Sequence, residues 1–214
     1  MVEDARLYAP AAARNRDAIL AVLRRHLPPE GLVLEVASGS GEHALHFAAS
    51  LAGLVFQPTD PDPTARASID AWAQVARLPN LRPALALDAA TEDWPITHAD
   101  AVLCINMVHI APWRATEGLM RGAARLLPPG GALILYGPFR RDGRHTASSN
   151  AAFDADLRAR NPAWGVRDLE AVTAEAVARG FGPPVVEPMP ANNLALVVRR
   201  QPLAQSRSHA GGIT

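Results

Sequence analysis

The 214-residue chain predicts an α/β domain in which a mostly parallel sheet carries helices on both faces. Three observations predict it. Short apolar, partly β-branched runs alternate with segments of helical spacing along most of the chain. A glycine-rich turn, "SGSG", follows the first apolar run and leads into a helix. The last two apolar runs are joined by a connection too short for a helical crossover, so they should pair antiparallel.

Each element has its own signal. Residues 1–10 read as an irregular arm ending at Pro10, and 11–27 as a helix with Ile19, Leu20, Val22, Leu23 and Leu27 on one face. "LVLEVA" (32–37) reads as a buried strand, 41–51 as a helix and "GLVFQPTD" (53–60) as a second strand. A helix over 63–77 is followed by a third strand at 82–89, "RPALALDA", and a fourth at 99–110, the most apolar. Residues 114–127 form an amphipathic helix stopped by "PPGG", and "ALILYGPF" (132–139) is a fifth strand. Helices are expected over 148–160 and 168–179, with Gly180 closing the second. "PVVEP" and "NLALVVRR" supply the last two of seven strands. Residues 1–200 are expected to form a single domain, with 1–30 as arm and first helix and 201–214 as a polar tail.

Composition narrows the chemistry. Lysine and arginine together number 21, balanced by 21 acidic residues, and every one of the basic residues is arginine. Without lysine there is no Schiff-base nucleophile and no Walker-loop lysine. Zero net charge provides no electrostatic footprint for nucleic acid or a membrane surface. The lone Cys104 cannot form an internal disulfide, the N-terminus has no signal-peptide core and no run is long enough to span a bilayer. A cytoplasmic protein is expected.

The glycine turn should hold a ligand. Gly39 and Gly41 allow a tight turn and a close backbone approach, and the following helix N-terminus offers free N–H groups. Gly41-Glu42-His43 rules out a P-loop. "GSGEHA" matches a dinucleotide fingerprint, with Asp60 about where a ribose-binding acid belongs. Two details favour S-adenosylmethionine instead. Glu35 lies inside the first strand's end, four residues before Gly39, where a carboxylate suits an ammonium better than a pyrophosphate. Asp88 ends the third run and adds a further contact for a nucleoside. The alternative roles of Asp60 and Asp88 are helix or turn capping.

A resemblance supports this choice. "EVASGSG" resembles motif I of class I S-adenosylmethionine-dependent methyltransferases, with Ala37 where many have the first glycine. "RLYAPAAARNRDAIL", "QPTDPD", "INMVHIAPW", "NPAWGVRDLE" and "PMPANNLALVVRR" are similar to the methyltransferase-like 26 family, a group largely of uncharacterised proteins. The resemblance implies a Rossmann-like, seven-stranded sheet in the order 3-2-1-4-5-7-6. It also implies a cofactor site: Ala37, Ser38, Gly39 and Gly41 under the methionine part, Glu35 toward its amino group and Asp60 on the ribose. Asp88 and Ala89 would meet the adenine, and Asn106 the methionine end.

Methyl transfer needs alignment and exclusion of water, with a base if the nucleophile carries a proton. His109, just past Asn106, is the candidate base; its alternative role is a loop hydrogen bond. Tyr8 and Arg14 are further catalytic candidates on an arm that could close as a lid. Asn15, Trp113, Tyr136 and Asn192 are candidate substrate contacts, with His145, Arg167 and Asn193 behind them. His43 and His46 share a helix face but lack the further ligands of a metal site, so no metal is expected. The expected activity is methyl transfer to an N, O or S nucleophile of a small molecule, by a monomer or homodimer. The alternatives are an NAD(P)-dependent dehydrogenase and a non-catalytic binding protein of the same fold.

Overall fold

The computed structural model describes residues 4–202. Strands β1 (Gly31–Val36), β2 (Leu54–Thr59), β3 (Ala101–Ile105) and β4 (Ala132–Gly137) pair in parallel. The closing strands β7 (Val185–Met189) and β8 (Asn193–Arg199) pair antiparallel with each other, and β8 runs antiparallel to β4. Two-residue strands β5 (Arg140–Arg141) and β6 (Arg144–His145) form a separate small hairpin.

The sheet has six strands, not the seven expected, in the order β2-β1-β3-β4-β8-β7 rather than 3-2-1-4-5-7-6. The missing strand is the 82–89 run. It lies beside β2 but makes only two isolated bridges, Leu81 with Phe56 and Leu85 with Thr59. Pro58 has no N–H to continue the ladder, and the Ala84 N–H is diverted to the Asp70 carboxylate at 2.8 Å. The 99–110 run is also shorter than expected. β3 stops at Ile105 because Asn106 turns left-handed, at φ 62°, and a 3₁₀ turn follows over Met107–His109.

Helices cover both faces. α1 (Pro10–His26), α2 (Glu42–Ser50) and α3 (Pro63–Ala76) lie on one side, where Ile19, Leu23, Phe47 and Phe56 pack in one core. α4 (Trp113–Leu126) and α6 (Leu169–Ala178) lie on the other, over Leu34, Val102, Leu133 and Leu196. Local chemistry sets the ends. Pro10 and Pro63 stand in the first turns of their helices, and Asp62 caps α3 by accepting the Thr64 N–H at 2.8 Å. α6 closes at Gly180, whose φ is 85°. The fifth helix, α5 (Ser148–Arg160), lies at the end of the sheet rather than on a face.

One glycine fixes how closely α4 approaches the strand ends. A Cβ at Gly118 would stand 1.9 Å from the Ala89 carbonyl oxygen, which is backbone and cannot swing aside. Gly118→Ala is expected to cost about 1–3 kcal/mol by overpacking. Chemical denaturation should show a lower midpoint with an unchanged slope.

No helix among the described residues is long and apolar enough to cross a membrane. The part of the tail from 203 to 214 lies outside the described residues.

Candidate functional site

β1 lies between β2 and β3, so the chain leaves it on one side and later returns on the other. Such a reversal opens a crevice at the carboxyl ends of the strands. The loop after β1 enters that crevice with Ala37 and Gly39 at φ 59° and Gly41 at φ 88°. A Cβ at Gly41 would stand 2.8 Å from Ile69 Cα, so this glycine brings the loop against α3. A Cβ at Gly39 would meet nothing within 4 Å, so that backbone faces open space. Ala37 holds a conformation that suits glycine. Ala37→Gly is expected to stabilise the protein by up to about 1 kcal/mol, read as a raised urea midpoint.

Carboxylates brace the loop. Asp60 Oδ2 accepts the Gly39 N–H and Oδ1 accepts the Asp62 N–H, both at 3.0 Å. Burial raises the Asp60 pKa, and these two bonds partly offset the rise. Glu35 is 1% exposed, and its Oε2 has no hydrogen-bond partner among the described residues. Burial pushes its pKa up to about 7; Ser38 pulls it down and the Asp60 charge adds to the rise. Ser38 turns its hydroxyl inward, donating to the Glu35 carbonyl at 3.3 Å and accepting the Thr59 N–H at 3.2 Å.

Two cavities are lined by neighbouring residues at the end of β3. The smaller, about 250 Å³, is bounded by Ala37 and Gly39, by Asp60, and by Asp88 and Ala89. Ile105, Met107, Ile110 and Ala115 close it with apolar surface. Asp88 also caps its own turn, accepting the Ala90 N–H at 2.9 Å. Asp88 thus caps its turn and also borders the cavity.

The larger cavity, about 750 Å³, is lined by Arg14 and Asn15 of α1, Asn106, Tyr136, and Asn193 at the start of β8. Ile105 faces one cavity and Asn106 the other. The Asn106 N–H donates to the Tyr136 carbonyl at 2.8 Å, tying the ends of β3 and β4 together. Asn15 Oδ1 meets His43 Nε2 at 2.7 Å. Burial lowers the His43 pKa to about 4, so this ring is neutral and donates from that nitrogen.

The remaining candidates fall elsewhere. His109 is fully buried and lines neither cavity. Its Nδ1 accepts the Arg167 N–H at 3.2 Å, its ring meets Phe139 edge-on, and its Nε2 is pressed toward Gly137. Burial lowers its pKa to about 3. Arg167 lies over the Trp113 ring and donates to the Val108, Ala111 and Ala163 carbonyls, holding the 107–111 turn. Tyr8 is exposed and packs edge-on against Trp72. Its arm is strapped to α3 by the Leu7 N–H on Ser68 Oγ and to Glu42 by the Ala9 N–H, so it lies against α3 and α2. Asn192 is exposed at the rim, where its carbonyl accepts from Asn150. His145 lies 3.4 Å from Asp154, away from both cavities. Among the described residues no group of three His, Cys, Asp or Glu side chains could hold a metal ion.

Sequence reasoning missed Ser149, Asn150 and Phe153 of α5, and Pro190 and Ala191, which complete the larger cavity. It also missed the apolar wall of the smaller one. The apolar run through Ile105 and Met107 was the available signal for that wall.

A family model described as "Protein of unknown function (DUF938)" matches residues 6–200. Solved structures share the fold. An O-methyltransferase family protein from Burkholderia thailandensis aligns over 87% of this chain and 58% of its own, with 18% identity and a TM-score of 0.72. Human N-acetylserotonin methyltransferase, solved in complex with SAM, aligns over 90% and 53%, at 14% identity and TM-score 0.74. An O-methyltransferase family 2 protein from Planctomyces limnophilus, in complex with apigenin, aligns over 89% and 58%, at 18% identity and TM-score 0.75. The chain thus spans little more than half the length of the structures it resembles.

Proposed function

The chain belongs to the DUF938 family, and we propose that it is an S-adenosylmethionine-dependent methyltransferase acting on an N, O or S nucleophile of a small molecule. The class I fold and the resemblance to the methyltransferase-like 26 family are part of the proposal, as are a single domain over 1–200 and a cytoplasmic setting. One observation carries it. A buried carboxylate oxygen of Glu35, without a hydrogen-bond partner among the described residues, stands in the strand that leads into the glycine loop, and that loop borders a cavity presenting Asp60 and Asp88. A pyrophosphate placed there would face Glu35 and Asp60, and two carboxylates would repel it. An ammonium and a ribose would be welcomed instead.

When bound, S-adenosylmethionine supplies a methyl group on a positive sulfur, open to in-line displacement. The residues here divide the remaining work. Glu35 answers the ammonium, Asp60 keeps a lone pair on each oxygen for ribose hydroxyls, and Asp88 with Ala89 borders the base. Ala37 and Gly39 present backbone to the methionine part. Asn106 lines the larger cavity next to Ile105 of the smaller one and aims the acceptor toward it. Asn15, Arg14 and Tyr136 hold the acceptor in the larger cavity. Burial raises the Tyr136 pKa, so the phenol stays protonated and can donate. His109 acts as a positioning residue: a buried ring with a pKa near 3 supports the turn that carries Asn106 and is a poor base at neutral pH. Trp113 braces the same turn through Arg167, and Tyr8 and Asn192 hold the arm and the cavity rim.

Nicotinamide fluorescence separates this reading from a dehydrogenase. NADH mixed with the full chain should show no enhancement, while S-adenosylhomocysteine should raise the melting temperature. The reverse pattern would overturn the proposal.

A further inference from the structure

We propose that the methyl acceptor is a small organic anion, a carboxylate or phosphate on an apolar body, read by Arg14. This rests on the methyltransferase reading, because the larger cavity is taken as the acceptor site. Its lining carries one formal charge, the Arg14 guanidinium, and no carboxylate. Arg14 is exposed at the cavity wall and, among the described residues, takes part in no ion pair. A cation without a counter-ion among the described residues, at the wall of a cavity of about 750 Å³, selects against cationic ligands and for a group it can grip by a two-pronged hydrogen bond.

The rest of the wall fits the same ligand. Pro138, Phe153 and Pro190 supply flat apolar surface. The first turn of α5 has no side-chain cap, and Ser149 from that turn lines the cavity, so the positive end of the helix lies on the same space. Asn150 is committed to the wall itself, donating to Thr146 Oγ1 and the Asn192 carbonyl. Tyr136, 3% exposed, is the buried phenol of the wall, and its carbonyl accepts the Asn106 N–H at 2.8 Å. An acceptor gripped at its acidic end by Arg14 would turn its other end toward Asn106.

The test uses the full chain saturated with S-adenosylhomocysteine, whose own binding is measured first. Calorimetry then compares 4-hydroxybenzoate, phenyl phosphate, the neutral 4-hydroxybenzamide and the cation tyramine. One or both anions should bind at least about tenfold more tightly than the amide, with tyramine weakest. The stronger of the two anions identifies the acidic group. Arg14→Gln should bring the anion-to-amide affinity ratio down to about one, and Arg14→Lys should restore part of it. Equal binding of anion and amide, tighter binding of tyramine, or an anion preference that survives Arg14→Gln would overturn the inference. If S-adenosylhomocysteine binds and no anion does, the acceptor class falls and the cofactor reading stands. If S-adenosylhomocysteine does not bind, the cofactor reading itself falls.

Discussion

Asp60→Ala should weaken S-adenosylhomocysteine binding about 100-fold. Two losses combine. The carboxylate would accept from ribose hydroxyls, and a hydrogen bond to a charged group contributes about 1.5–3 kcal/mol. It also accepts the Gly39 N–H, so its removal frees the loop the ligand rests on. Asp60→Asn keeps the shape and one acceptor oxygen, so it should fall between the two proteins. Isothermal titration of the three in parallel checks the order. An Asp60→Ala protein that binds as tightly as the parent would show that Asp60 neither contacts the ligand nor holds the loop for it.

Glu35→Gln should separate stability from binding. The Glu35 pKa is raised by burial to about 7 in the folded chain, against about 4.3 for an unperturbed glutamate. Between those values the folded state holds more protons than the unfolded state. Its contribution to stability is therefore full below about pH 4 and is lost as pH rises through 7. At pH 8 the ligand-free protein carries a buried carboxylate, one oxygen of which has no hydrogen-bond partner among the described residues. The neutral amide removes that charge, so Glu35→Gln should raise the ligand-free melting temperature at pH 8 and have little effect at pH 5. The same change should weaken ligand binding by at least about tenfold, because the ammonium loses its counter-charge. In the parent protein, binding should release protons near pH 7 and tighten from pH 6 to pH 8. Melting curves and titrations at the two pH values read both effects. A melting temperature that falls equally at both would contradict this placement of the charge.

Much of the frame is legible because its signals are local. Pro10, the Asp62-Pro63 pair and Gly180 mark helix ends without reference to anything distant. The strand, glycine turn and helix around 31–50 need only their own residues to be recognised. The lost edge strand is different. Its failure depends on Pro58 in a neighbouring strand and on Asp70, which captures the Ala84 N–H from a helix. The 140–145 hairpin did carry a local signal, the Asp142-Gly143 pair with φ of 50° and 70°, between strands too short to show alternation.

The polar residues of the smaller cavity read from sequence because Asp60 and Asp88 end apolar runs. The lining of the larger cavity does not. Arg14, Tyr136, Phe153 and Asn193 come from four distant segments, and only the packing of α5 over the end of the sheet makes them one wall. His109 shows the opposite error of scale. A histidine beside the site suggests a base, but full burial and the Arg167 N–H on its Nδ1 turn it into a support for the turn that carries Asn106.

The most direct measurement is calorimetric titration of the full chain with S-adenosylmethionine and S-adenosylhomocysteine at pH 8. The account predicts one site for each, with binding weakened in both Asp60→Ala and Glu35→Gln. A folded sample that takes up neither ligand, or binds them equally well without both carboxylates, would contradict it.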